Sequence, residues 1–248
     1  MRSLPALILA VLIFGLFPNV VAAQAIDLGS LAQPRNGQTS GQIIQLFGLL
    51  TILAVAPGLL IVVTSFTRFI IAFSILRMGI GLQTTPANLI LISLSLFMTF
   101  HVMAPTFDRA WESGLKPLSE GTITEQEALV LISDPFREFM QKHVRDKDLS
   151  LFVELASEAN PDIAQEEKIS LRVLVPAFMI SEIRRGFEIG FLILVPFLVI
   201  DLIVATITMA MGMMMLPPTV VALPFKILFF VLIDGWNLLV GSMVRSFL

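Results

Sequence analysis

The chain has 248 residues, 56% of them hydrophobic and 14% charged, with a mean hydropathy of +0.89, which excludes an ordinary water-soluble globule. It contains no cysteine, so disulfide scaffolds, thiolate metal sites and cysteine nucleophiles are excluded too. The formal net charge of −3 conceals a split: residues 106–170 hold 14 acidic and 7 basic side chains, and the rest of the chain holds 5 and 9. One acidic, water-facing segment is inserted into a mildly basic, apolar chain.

Residues 1–23 read as a signal peptide. Arg2 gives the positive end, Leu4 to Val21 the apolar run, and Ala22-Ala23-Gln24-Ala25 a small-residue cleavage zone. Residues 24–45, rich in Gly, Ser, Gln and Asn, suit a flexible mature N-terminus. Residues 46–105 form a first hydrophobic helical hairpin. An apolar run from Leu46 to Val63 carries Pro57-Gly58, and a second stretch, Phe69 to Leu76, ends at Arg77. Gly79, Gly81 and Thr84-Thr85-Pro86 mark a turn, Asn88 is a candidate cap, and Pro105 is expected to close the helix from Leu89 to Met103.

The acidic domain, residues 106–170, shows helical patterns with expected breaks at Pro117, Pro135 and Pro161. Apolar residues recur at three- and four-residue spacing around Phe136–Val144 and Leu149–Ala156, as in short amphipathic helices. Residues 171–248 make a second hydrophobic hairpin, Phe187–Met215 and Val220–Val240, after a mixed stretch to Arg185. Its tip is Met213-Met214-Met215-Leu216-Pro217-Pro218. The fold class is therefore all-α, two hydrophobic hairpins with a small helical acidic domain between them.

With the mature N-terminus outside, Arg68 and Arg77 fall on the cytoplasmic side and the acidic domain is periplasmic. Arg172, Arg184 and Arg185 then lie on the wrong side, and the tip has no flanking cation. The second hairpin is thus a poor pair of conventional membrane spans and is expected to bury against protein.

Lone charges inside apolar runs need partners, because a charge at the centre of a membrane helix costs about 2.5–3.5 kcal/mol. Glu182, Asp201 and Lys226 are the candidates for pairing between helices or subunits; Asp234, near the end of its run, suits an interface equally well. Gly186 and Gly190 have the spacing that lets helix backbones approach closely. Met213, Met214 and Met215 place flexible thioethers at the hairpin tip, a candidate gasket around a passage. The rival reading, a Cu(I) path using Met211 and Met215, has no cysteine and only two separated histidines, His101 and His143, to support it. No hydrolase, zincin or phosphate-loop motif is present, so no enzyme, cofactor, metal site or nucleic-acid partner is expected.

Several motifs are more specific. Ala56-Pro57, Thr64-Ser65-Phe66-Thr67-Arg68, Thr85-Pro86 with Asn88, and Met103-Ala104-Pro105 resemble the front half of the FliP family of flagellar export-gate proteins. Pro196-Phe197-Leu198-Val199-Ile200-Asp201, Met211 to Pro218, Leu223-Pro224-Phe225-Lys226 and Asp234-Gly235-Trp236 resemble its back half. Ala87, where a second proline is usual, and His101, where an apolar residue is usual, are the departures. The resemblance covers residue 45 to the C-terminus, and the acidic domain favours the flagellar branch over the related injectisome branch. It implies a pore-forming subunit of the type III export gate at the bacterial inner membrane, passing unfolded flagellar subunits. It further implies about five copies assembling with FliQ and FliR, completed by FlhA and FlhB, with Glu182 and Lys226 at positions that pair in the assembly and Met213–Met215 as the gasket.

Overall fold

The computed structural model describes residues 61–159, 169–213 and 217–247, with residues 47, 48, 50, 51, 54, 55, 58 and 59. The expected signal peptide, the flexible N-terminus, Pro161, Met214 and Met215 lie outside the described residues. The chain divides into two compact units, 1–56 and 57–248, and the elements below belong to the second.

Helix α1, Phe66–Ile80, ends where the sequence changes to glycine. Gly81 takes φ +91°, a left-handed conformation open to a residue without Cβ. Its N–H bonds to Met78 O at 3.0 Å, and Leu82 N–H reaches Arg77 O at 3.1 Å, so the orphan carbonyls of the last turn are satisfied. Asn88 does not cap α2, Asn88–Ala110; it is the first helical residue, and its side chain accepts from Arg77, tying the loop back to α1.

Pro105 does not close α2 either. The helix runs through it into a π-helical turn, Trp111–Leu115, and on into α3, Lys116–Ser119, giving one rod from Asn88 to Ser119. Proline inside a long helix costs one backbone bond, which neighbouring groups can offset. Pro135, inside α4 (Glu125–His143), shows this directly. It leaves Leu131 O without its helical donor, and Ser113 Oγ lies 3.2 Å from that oxygen. The start of α4 is fixed by Thr124, which accepts from Glu127 N–H at 3.3 Å while the Glu127 carboxylate takes the Thr124 N–H at 2.9 Å.

Helix α5, Asp146–Ala159, is followed by α6, Leu171–Ala210, a 40-residue helix passing through Pro176 and Pro196. The stretch up to Arg185 is thus the first third of α6 and not a separate mixed segment. At the far end Met211 and Gly212 turn the chain, Gly212 at φ +73°, and Met213 N–H closes back on Thr208 O at 3.0 Å. Pro218 opens α7, Pro218–Leu232, from the first-turn position that suits proline. The run read as Val220–Val240 is two helices: α8, Gly235–Arg245, leaves α7 at 62°, with Asp234 at φ +51° between them.

Among the described residues every element is helical, so the fold is all-α. α1 lies along α6, with α2 and α7 packed beside this pair and α4 and α5 against α6. Phe69, Phe73, Phe139, Phe178, Phe197, Phe230 and Phe247 fill the core between these helices. Each large side chain fully buried contributes about 1.5–3 kcal/mol. The outer faces are equally apolar: Phe97, Leu192, Leu202, Val231 and Leu232 are all more than 65% exposed. Two helices, Asn88–Ser119 and Leu171–Ala210, are long and apolar enough to cross a membrane, and a third if α7 and α8 count as one bent span.

Candidate functional site

A guanidinium in the first turn of α1 organises one end of the helix pair. Arg68 and Glu182 are both fully buried, facing each other across the α1–α6 contact. Arg68 Nε donates to Glu182 Oε2 at 2.9 Å, and Nη2 donates to Oε1, a fork-to-fork pair. Nη1 donates to Ser246 Oγ at 2.7 Å and to Ser246 O at 3.2 Å. The Phe247 ring covers the guanidinium, 3.5 Å from its carbon to the ring centroid. One cation therefore joins α1, α6 and the C-terminal turn. Ser181, the neighbour of Glu182, extends the network: its Oγ lies 2.7 Å from Asp148 Oδ2 and accepts from Arg145 N–H at 3.1 Å.

The second pair lies toward the hairpin tip. Lys226 on α7, nearly buried, donates to Asp201 Oδ2 at 2.6 Å and to Gly79 O at 3.0 Å, linking α7, α6 and the end of α1. Asp201 Oδ1 is buried and makes no hydrogen bond among the described residues. Within the chain, then, Glu182 and Lys226 have separate partners. Asp234 is exposed at the α7–α8 break and forms no ion pair among the described residues.

Gly186 and Gly190 lie on α6 between these pairs. A Cβ at Gly186 would sit 3.0 Å from Ile71 Cβ, and one at Gly190 would sit 2.4 Å from Ile75 Cδ1. The bare backbone is what lets α1 approach near enough for Arg68 to reach Glu182. Met213, at the tip, is 38% exposed, and Met211 beside it is exposed as well.

Arg68 as the partner of Glu182 is the residue that sequence reasoning missed. The signal was present: a single cation amid Phe66, Phe69, Ile70 and Ile71, the pattern that singled out Lys226. The positive-inside reading had placed it at a membrane surface.

His101 is exposed, while His143 is buried, with ring contacts to Phe139 at 4.7 Å and Phe247 at 5.3 Å. Burial pushes His143 down from 6.5 to about 4, helped by the cations Arg68 on α1, Lys142 beside it and Arg185 on α6. The unfolded chain therefore takes up this proton first. Its contribution to stability is complete above about 6.5 and is lost as pH falls toward 4. Thermal melts of the purified chain across that range should show this loss, and His143→Phe should flatten it.

Residues 49–243 match the FliP family model. The chain belongs to the FliP family. It is 65% identical over 230 residues to the flagellar biosynthetic protein FliP of Rhizobium meliloti, covering 93% of this chain and 94% of that one. It is 48% identical over 243 residues to that of Caulobacter vibrioides, with 97% and 89% covered. Against that of Bacillus subtilis it is 46% identical over 222 residues, with 90% and 98% covered. Both charge pairs and both packing glycines lie inside the span matched by the FliP model. The chain is accordingly a flagellar biosynthesis protein of the type III export apparatus, with helices apolar enough to span a membrane.

Proposed function

We propose that this chain is a pore-forming subunit of the flagellar export gate at the inner membrane, a structural component and not an enzyme, through which unfolded flagellar subunits pass. Copies of it, about five on the family pattern, would assemble with FliQ and FliR and meet FlhA and FlhB. One observation carries the reading. Arg68, Glu182 and Lys226 are buried between α1, α6 and α7, while α2, α6 and α7 leave large apolar side chains bare outside. Apolar faces of that extent require lipid or protein against them. The Asp201 oxygen without a donor points the same way, since a buried acceptor left unpaired costs about 1–3 kcal/mol.

On this reading Met213, Met214 and Met215 narrow the bore. Thioethers are adaptable enough to close on one another or to mould around a passing chain, and they offer it few strong binding groups. Replacing all three by Ala should leave assembly intact and raise the ion permeability of the reconstituted gate. A variant as tight as the wild type would refute the sealing role.

Lys226→Ala should impair assembly and swimming far more than Lys147→Ala, an exposed lysine outside every pair described. Removing one member of a largely buried pair leaves the other charge uncompensated, at about 3–5 kcal/mol. Swarming in soft agar and co-purification of the gate read the two effects separately. Loss of swimming on deletion, with other secretion intact, tests the flagellar assignment against the injectisome one.

A further inference from the structure

Beside the end of the apolar run of α2, a cavity of about 490 Å³ opens between α2, α4 and the end of α8. Apart from His101, Asp108 and Arg109 are the first ionisable residues of α2. The mouth of the cavity carries His101, Arg109, Glu138 and Lys142, and its floor is formed by Val102, Val244 and Phe247. Glu138 is neutralised by Arg109, leaving Lys142 as one unbalanced positive charge. His143, 5% exposed, lines the same cavity, and its ring nitrogens make no hydrogen bond among the described residues. The ring nitrogens are not sealed off, so the partner they lack within the protein has to come from the cavity itself, as water or a bound molecule.

These features fit one kind of ligand. The cavity is cationic by a single charge at its mouth, holds an unused ring N–H inside, and is apolar along its floor. Basic pockets beside membrane helices bind anionic lipid headgroups by this combination. We propose that the cavity is a headgroup site for a monoanionic phospholipid: the phosphodiester lies between Lys142 and the His143 ring N–H, and an acyl chain follows Val102, Val244 and Phe247 toward the apolar part of α2. The neutral state of His143 suits this role, since the ring can donate one hydrogen bond while Lys142 supplies the charge. The inference rests on α2 lying in a membrane and is independent of the pore reading.

The test uses the full chain in nanodiscs of zwitterionic phosphatidylcholine containing an equal mole fraction of phosphatidylglycerol, with retained lipid read by native mass spectrometry. Phosphatidylglycerol should be retained about tenfold over phosphatidylcholine, the ratio corresponding to ~1.4 kcal/mol. Lys142→Glu should abolish the preference, and Lys147→Glu, the same charge change away from the cavity, should leave it. Lys142 is exposed, so the variant keeps its packing. Arg109→Gln, also at an exposed position, provides a second reduction of the positive charge at the mouth. No preference in the wild type, or the same preference in Lys142→Glu and Arg109→Gln, would overturn the proposal. So would complete displacement of the lipid by millimolar inorganic phosphate, which would make the cavity a site for a soluble anion.

Discussion

Arg68→Ala should remove a large part of the folding stability of the chain. The substitution strips Glu182 of its only ion-pair partner among the described residues, at a position with no solvent exposure. Leaving such a charge uncompensated costs about 3–5 kcal/mol, against a total stability of about 5–15 kcal/mol for a typical domain. It also releases the C-terminal turn, because Ser246 loses two bonds and Phe247 loses the cation beneath its ring. Arg68→Lys should recover little, since a lysine ammonium cannot fill the two-pronged geometry that grips both carboxylate oxygens. The informative companion is Arg68→Met with Glu182→Leu, which removes both charges and keeps most of the volume. That double variant should melt well above either single truncation. Melting temperature and protease resistance of the purified chain measure all of these. If Arg68→Ala melted with the wild type, the pair would have no structural weight.

The helical class and the lone buried lysine were legible because each rests on a local rule: apolar run length, or the cost of a charge in an apolar run. Lys226 and Asp201 stood out as single ionisable groups in long apolar stretches, and the structure sets them 2.6 Å apart. Element ends were read less well. Pro105 and Pro135 looked like stops because proline removes a backbone donor, yet α2 and α4 continue through both. Whether a proline ends a helix depends on what supports the freed carbonyl, and for Leu131 the support comes from Ser113, 18 residues earlier. No local pattern contains that. The break at Asp234 carried a local signal that went unused: Asp234-Gly235 is a turn dipeptide between the strongly apolar α7 and the more polar, amphipathic α8. Thr124 with Glu127 was a readable start signal that went unused. Arg68 was misplaced because a charge rule for membrane surfaces was applied to a residue whose partner lies 114 positions away.

Gly190→Leu should separate α6 from α1 and, with them, the two halves of the ionic network. Even a methyl group at this position would lie 2.4 Å from Ile75 Cδ1 and 2.9 Å from Ile75 Cβ. The first contact is the end of a side chain and can move; the second belongs to the stem of a β-branched residue whose rotamers are few, so the helix itself must shift. Overpacking of this kind costs about 1–3 kcal/mol in an ordinary core. Here the loss should be larger, because the helices are equally close one turn away, where a Cβ at Gly186 would sit 3.0 Å from Ile71 Cβ and 3.4 Å from Arg68 O. Any displacement of α6 at Gly190 therefore pulls Glu182 from Arg68 and adds the cost of an opened buried pair. Gly190→Ala should be the milder case and should be rescued in part by Ile75→Ala, which removes the atoms in its way. Gly241→Ala is the control: nothing lies within 4 Å of its Cβ position on α8, so the change should be neutral or stabilising by up to ~1 kcal/mol through helix propensity. Rescue by Ile75→Ala distinguishes a steric requirement from a general intolerance of the helix, because the second substitution by itself removes apolar contacts and should only destabilise.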